Sequence, residues 1–180
     1  MNVATPRPAS QLIDYAIDVR SRTLELIADM NDDQLMGPQL KIVNPPLWEI
    51  GHMAWFQEFW ILRHHLQQPP LRDDADDLYN SSLVHHNTRW SLPLPSRQGT
   101  LDYMQNVLDN VVDWLQTREP GAEDTYFNLL ATFHEDMHTE ALTYTRQTHG
   151  YTAPELMVDR VATPGAGGPL PGDVEIPGGT

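Results

Sequence analysis

The sequence predicts an all-α fold, a four-helix bundle, on three observations. Proline and glycine cluster at Pro6/Pro8, Gly37/Pro38, Pro45/Pro46, Pro69/Pro70, Pro93/Pro95 and Pro120/Gly121, leaving long unbroken segments between them. Four of those segments repeat apolar residues at three- and four-residue intervals, and none alternates as a strand would. Finally, 180 residues suffice for one hydrophobic core but hardly for two.

The first helix is expected from Ser10, as N-cap, to about Met30, with Leu12, Ile13, Ala16, Ile17, Leu24, Ile27 and Ala28 as its inward stripe. The second starts at Asn44 as cap, with Pro45 or Pro46 in the first turn where a missing N–H costs little, and runs to about Leu66. Its sequence is unusually aromatic, with Trp48, Trp55, Phe56, Phe59 and Trp60. A third helix is expected from Thr100 to Thr117, inward through Leu101, Met104, Leu108, Val111, Val112 and Leu115, with Asp102 in its first turn suiting the dipole. The fourth spans Glu123 to His149 with Gly150 as C-cap, and its apolar stripe reads Tyr126, Leu129, Leu130, Phe133, Met137, Ala141, Leu142 and Thr145. Between helices two and three lies a connection from Gln67 to Gly99, long enough to be a candidate functional loop. After Gly150 the composition changes: residues 154–180 hold five prolines and six glycines, which reads as a linker.

A formal charge of −14 disfavours sequence-independent nucleic-acid binding. With no cysteine there is no disulfide framework, thiolate metal site, iron–sulfur cluster or cysteine nucleophile, so a bound metal has only nitrogen and oxygen ligands. MNVATPRPAS has no secretory apolar core, and no run approaches the roughly 18 apolar residues of a membrane span, so a soluble, cytoplasmic chain is expected.

His134 and His138 stand four apart on the fourth helix, with about 5–6 Å between β-carbons, near enough to share an ion. They fall on its apolar stripe, where unpartnered imidazoles are costly. Hydrogen bonds to Glu135, Glu140 or a carboxylate on another helix satisfy such a pair as readily as a metal does. His52 shifts the balance, because it shares a face with Trp48, Trp55, Phe56 and Phe59 and also points inward. Three histidines from two helices can converge on one ion and leave open positions for water, dioxygen or substrate, as a catalytic site needs. Gly51 beside His52 permits close helix approach. The segment His134-Glu135-Asp136-Met137-His138 also matches HExxH, in which the glutamate is the general base of a zinc protease. That reading ranks second, since the extended pattern asks for glycine at 141 and histidine at 144, where Ala141 and Tyr144 stand.

Other features carry less. His64/His65 and His85/His86 are neighbours in sequence and are read as solvated or locally hydrogen-bonded, and Asp73, Asp74, Asp76 and Asp77 as a solvated charged turn. Arg89 and Arg97 flank the loop segment 90–96, and either can grip a carboxylate or form a surface ion pair.

Taken together, NPPLWEIGHMAWFQEFWILR at 44–63 and FHEDMHTEAL at 133–142 resemble the N-terminal DinB-like four-helix domain of the ergothioneine-type sulfoxide synthases. VEIPGGT at 174–180 resembles the opening strand of the formylglycine-generating-enzyme-like domain that follows in that family, and HNTRWSLPLPSR at 86–97 is similar to the selenoneine synthase branch. The resemblance implies a DinB-like metal-binding domain over 1–152, with 153–180 as linker and start of a missing second domain. It implies a non-heme iron(II) centre, Fe(2+), held by His52, His134 and His138. The reaction implied joins sulfur or selenium from a thiol or selenosugar to the imidazole C2 of a histidine betaine, using dioxygen. Arg89 is the nearest counterpart of loop arginines that bind the thiol cosubstrate. Asp136 and Met137 replace glutamines common between the family's histidines, so no contact carries over there. The family's catalytic tyrosine and much of its pocket lie in the second domain, so this chain alone is expected to bind metal weakly and turn over little. The alternatives are a divalent-metal DinB-like thiol transferase using nickel or zinc, and a non-catalytic helical module with buried structural histidines.

Overall fold

A computed structural model describes residues 5–157. Among them the bundle is built from α1 (Ala9–Ile27), α3 (Pro46–Gln57, continued as a π-helix over Glu58–His65), α5 (Arg97–Gln116) and α6 (Ala122–His149). Two short helices, α2 (Asp32–Met36) and α4 (Ala75–Tyr79), and a 3₁₀ turn at His86–Thr88 lie in the connections. The expected all-α bundle is therefore observed. The Pro/Gly-rich stretch beyond residue 157 and its VEIPGGT end lie outside the described residues.

Most helix boundaries follow local chemistry. Asn31 and Gln34 form a reciprocal capping box on α2, and Ser96 accepts from Gly99 N–H at the start of α5. At the far end of α6, Gly150 turns left-handed (φ 69°), which frees Tyr151 N–H to close on Arg146 O. Three expected ends move. Ser10 does not cap α1, which starts at Ala9 after Pro8 and finishes at Ile27. Asn44 does not cap α3; Pro45 takes that place, and the Asn44 amide oxygen accepts from Arg89 instead. Because α5 begins at Arg97, Asp102 sits in its second turn, bonded to Gln98.

Contacts between the rods fix their directions. Arg7 N–H reaches Thr125 near both helix starts and Arg146 reaches Asp29 and Leu26 O near both ends, so α1 and α6 run parallel. Arg97, opening α5, donates to Met30 O and Ile27 O at the close of α1, so that pair is antiparallel. His65 meets Asp124 while Glu49 meets His138, which makes α3 antiparallel to α6. Glu58 pairs with Tyr103, and His65 lies beside Trp114, so α3 and α5 run the same way. Parallel neighbours need a return over the length of the bundle, about 30 Å for a 20-residue helix. That requirement explains the long 66–96 connection.

The connection is held by side chains of α3. Trp48 Nε1 donates to Leu78 O, Glu58 accepts from Leu71 N–H, and Arg63 and Trp55 both bond Asp76. The aspartate run is therefore only partly the solvated turn expected: Asp76 is a structural clamp whose carboxyl is held below the usual range chiefly by Arg63. Arg97 is committed to the carbonyls that end α1, which removes it as a carboxylate grip.

The inward faces also differ from a purely apolar stripe. On α6, Tyr126, Phe133 and Met137 are exposed, whereas Asp124, Thr125, Asn128, Glu135 and His138 are buried. On α1, Ile17 is exposed while Arg20 and Thr23 are inside. Each of these polar groups has a partner, and Arg20, Thr23 and Glu135 share one cluster between the two helices. Arg20 Nε and Nη2 bond the two oxygens of Glu135 at 2.8 and 3.1 Å, Thr23 donates to Glu135, and Gln57 and Met104 O take further Arg20 donors. Each Arg20 nitrogen and both Glu135 oxygens have a partner, so burial of the charges is tolerated.

Gly51 supports the close approach read from the sequence, with the Tyr79 ring of α4 as its neighbour. A Cβ there would sit 2.3 Å from Tyr79 Cε1 and 2.4 Å from Cζ. Gly51→Ala is expected to displace α4 and lower stability by about 1–3 kcal/mol, read from urea unfolding midpoints. Arg20→Leu, which strands the buried Glu135 carboxylate, is expected to cost about 3–5 kcal/mol in the same measurement.

Candidate metal centre

Because α3 and α6 are antiparallel neighbours, the one-turn spacing of His134 and His138 on α6 is set opposite His52 on α3. Each of the three offers a ring nitrogen, and these atoms lie within 4.8 Å of one another. The ring centroids are 5.0 Å apart for His52–His134 and His52–His138, and 4.5 Å for His134–His138. His52 and His138 are buried, and His134 is half-buried against Phe56, whose ring stacks on it. Trp48 and Trp55 stack on His52 and complete an apolar wall.

Two rings have an assigned orientation. His52 Nδ1 lies 2.8 Å from Tyr79 O, and a carbonyl only accepts, so Nδ1 carries the proton and Nε2 keeps its lone pair. His138 Nδ1 lies 2.8 Å from Glu49 Oε1 and donates to it, which again leaves Nε2 as a donor atom for a metal. His134 Nδ1 is buried with no partner among the described residues. Burial holds two imidazoles neutral: His52 is lowered from 6.5 to about 3 and His134 to about 2, in each case mainly by desolvation and then by neighbouring His138. Converging imidazoles, two of them held neutral by burial and one with an orphaned nitrogen, fit a first-row divalent ion.

The same geometry removes the protease reading. Glu135 points away from the histidines into its bonds with Arg20 and Thr23 and is not placed to serve as a general base. It is also not the carboxylate that satisfies a histidine, and neither is exposed Glu140; Glu49 does so from the opposite helix.

Arg89 lies over the ring of Trp48, 3.8 Å from its centroid, and bonds Asn44 Oδ1 at 2.6 Å. The loop arginine thus borders the wall of the centre rather than open solvent, and burial lowers its pKa. Of the remaining histidines, His65 bonds Asp124 at 2.6 Å, and His86 bonds Val43 O at 2.7 Å. The clefts between α1 and α6 lie elsewhere; one of about 210 Å³ is lined by Arg22, Leu26, Thr139 and Leu156.

Sequence reasoning missed Glu49 and Tyr79. Glu49 left one signal: a carboxylate one turn before His52 in an otherwise apolar stretch, PLWEIGHMAW. The Tyr79 contribution is a backbone carbonyl and left none.

The unfolded chain takes protons on histidine below about pH 6.5, while His52 and His134 stay neutral in the fold until far lower. Stability of the metal-free chain is therefore fullest above pH 6.5 and falls as pH drops from there towards 3. The urea midpoint is expected to be lower at pH 5 than at pH 7.5, and His134→Phe to shrink that difference.

Comparison with known proteins places the chain in a family. Three hercynine oxygenases match: that of Mycolicibacterium thermoresistibile is 30% identical over 142 residues (78% of this chain, 31% of the relative), that of Mycolicibacterium smegmatis 27% over 133 (73% and 31%), and that of Mycobacterium tuberculosis 28% over 134 (73% and 31%). The chain spans about a third of the length of these curated relatives. The DinB superfamily matches residues 15–149, a stretch that contains α3, the crossover and all three histidines, and the chain belongs to that superfamily.

Proposed function

We propose that this chain is the metal-holding bundle of a non-heme iron(II), oxygen-dependent enzyme that forms a C–S or C–Se bond at the imidazole C2 of a histidine betaine. The observation that carries the reading is the convergence of His52, His134 and His138 in a chain similar to proteins named hercynine oxygenase. The wider resemblance to sulfoxide and selenoneine synthases supports the finer assignment, with a thiol or selenosugar as second substrate and a following domain completing the pocket.

In this reading His52, His134 and His138 hold the ion through neutral nitrogens, and three ligands leave positions open. Bound iron(II) supplies the capacity to activate dioxygen. Tyr79 O and Glu49 keep the rings of His52 and His138 turned towards the ion. Trp48, Trp55 and Phe56 exclude water from one side of the centre. Arg89 takes a substrate carboxylate, exchanging Asn44 for it.

A second reading, a divalent-metal thiol transferase, is favoured by the same donor set, because neutral imidazoles accept nickel or zinc as well as iron. Anaerobic iron(II) titration followed by equilibrium dialysis is expected to saturate at one weakly held iron per chain, lost in His52→Ala and His138→Ala. Oxygen-electrode assays with the betaine and a donor then separate the readings. Betaine-dependent oxygen uptake, slight in this chain by itself, supports the oxygenase. Thiol conjugation without oxygen uptake supports the transferase, and absence of bound metal overturns both.

A further inference from the structure

The three ligand rings bring no negative charge to a divalent ion, yet a carboxylate is buried against one of them. Glu49 is 1% exposed, lies on α3 one turn before His52, and accepts His138 Nδ1–H at 2.8 Å across the helix interface. Its other oxygen, Oε2, is buried without a partner. A buried carboxylate with one oxygen unsatisfied is costly unless positive charge faces it. Arg89 is the cation that feels Glu49 within the protein, but its guanidinium is bonded to Asn44 Oδ1 and Val84 O rather than to the carboxylate. The position left for a second positive charge is the point where His52, His134 and His138 converge.

We infer that Glu49 is the anionic positioning residue of the metal centre, fixing the His138 tautomer and supplying, through that ring, the negative charge the neutral ligand set lacks. The inference rests on the metal-binding part of the proposed function and on none of its oxygen chemistry. Its action has two separable components. The hydrogen bond turns His138 Nε2 towards the ion and needs only an acceptor. The charge makes His138 a stronger donor and offsets the dication, and it needs a carboxylate. Outer partners of this kind typically change metal affinity by roughly 10–100-fold.

The test uses the full 180-residue chain and cobalt(II) as probe, followed by its visible spectrum, with a zinc(II) chelator competition as second measurement. Glu49→Gln keeps an acceptor of the same shape and removes the charge, so it is expected to weaken cobalt(II) binding by roughly 10–100-fold with little change in thermal melting. Glu49→Asp is expected to recover part of the affinity. In the metal-free wild-type chain, ¹⁵N-detected imidazole resonances are expected to report His138 as the Nδ1–H tautomer, a readout that stands even where a variant fails to fold. Wild-type affinity in Glu49→Gln, or an Nε2–H tautomer at His138, overturns the inference while leaving the metal reading intact. Failure of the wild-type chain to bind cobalt(II) at all overturns the metal reading with it.

Discussion

Three imidazoles inside one hydrophobic bundle form the constraint around which this protein is arranged. Burial makes protonated rings expensive, so His52 and His134 are neutral, and neutral rings still have two nitrogens each to account for. The fold answers with fixed acceptors: a backbone carbonyl for His52 and a carboxylate from the facing helix for His138. Both acceptors bind Nδ1, so the same bonds that make burial tolerable leave the Nε2 lone pairs free.

The acceptor for His52 depends on a feature that otherwise looks like a topological burden. Parallel α3 and α5 oblige the chain to return along the bundle, and the returning segment delivers Tyr79 O to His52 and Arg89 to the face of Trp48. It approaches closely because Gly51 has no side chain where the Tyr79 ring lies. In turn α3 spends Trp48, Trp55, Glu58 and Arg63 on holding that segment. The expected long loop is thus a packed strap containing α4 and a 3₁₀ turn, and its order follows from polar side chains of the helix it covers.

The HExxH match shows how a sequence pattern is decided by geometry. Helix spacing alone leaves Glu135 near the direction of His134 and His138, and its partners decide where it goes. It is turned to α1, where Arg20 binds it through two nitrogens. This buried pair joins the two parallel helices and explains why a carboxylate stands inside on α6.

The sequence by itself determined the number and approximate limits of the long helices, the cap at Gly150, the length of the crossover and the three histidines, because periodicity, proline and glycine act through local backbone geometry. It also exposed Gly51 and Arg89 as residues to explain. Only the tertiary structure decided that Glu49 faces His138, that Tyr79 lends its carbonyl to His52, that Glu135 belongs to Arg20, and that Phe133 and Met137 point outwards. Those pairings join residues 27 to 115 positions apart. A polar residue on a helix carries no local mark of whether a partner waits across the interface, so polarity alone cannot tell a solvent face from a matched interior one; that distinction arises when the helices pack.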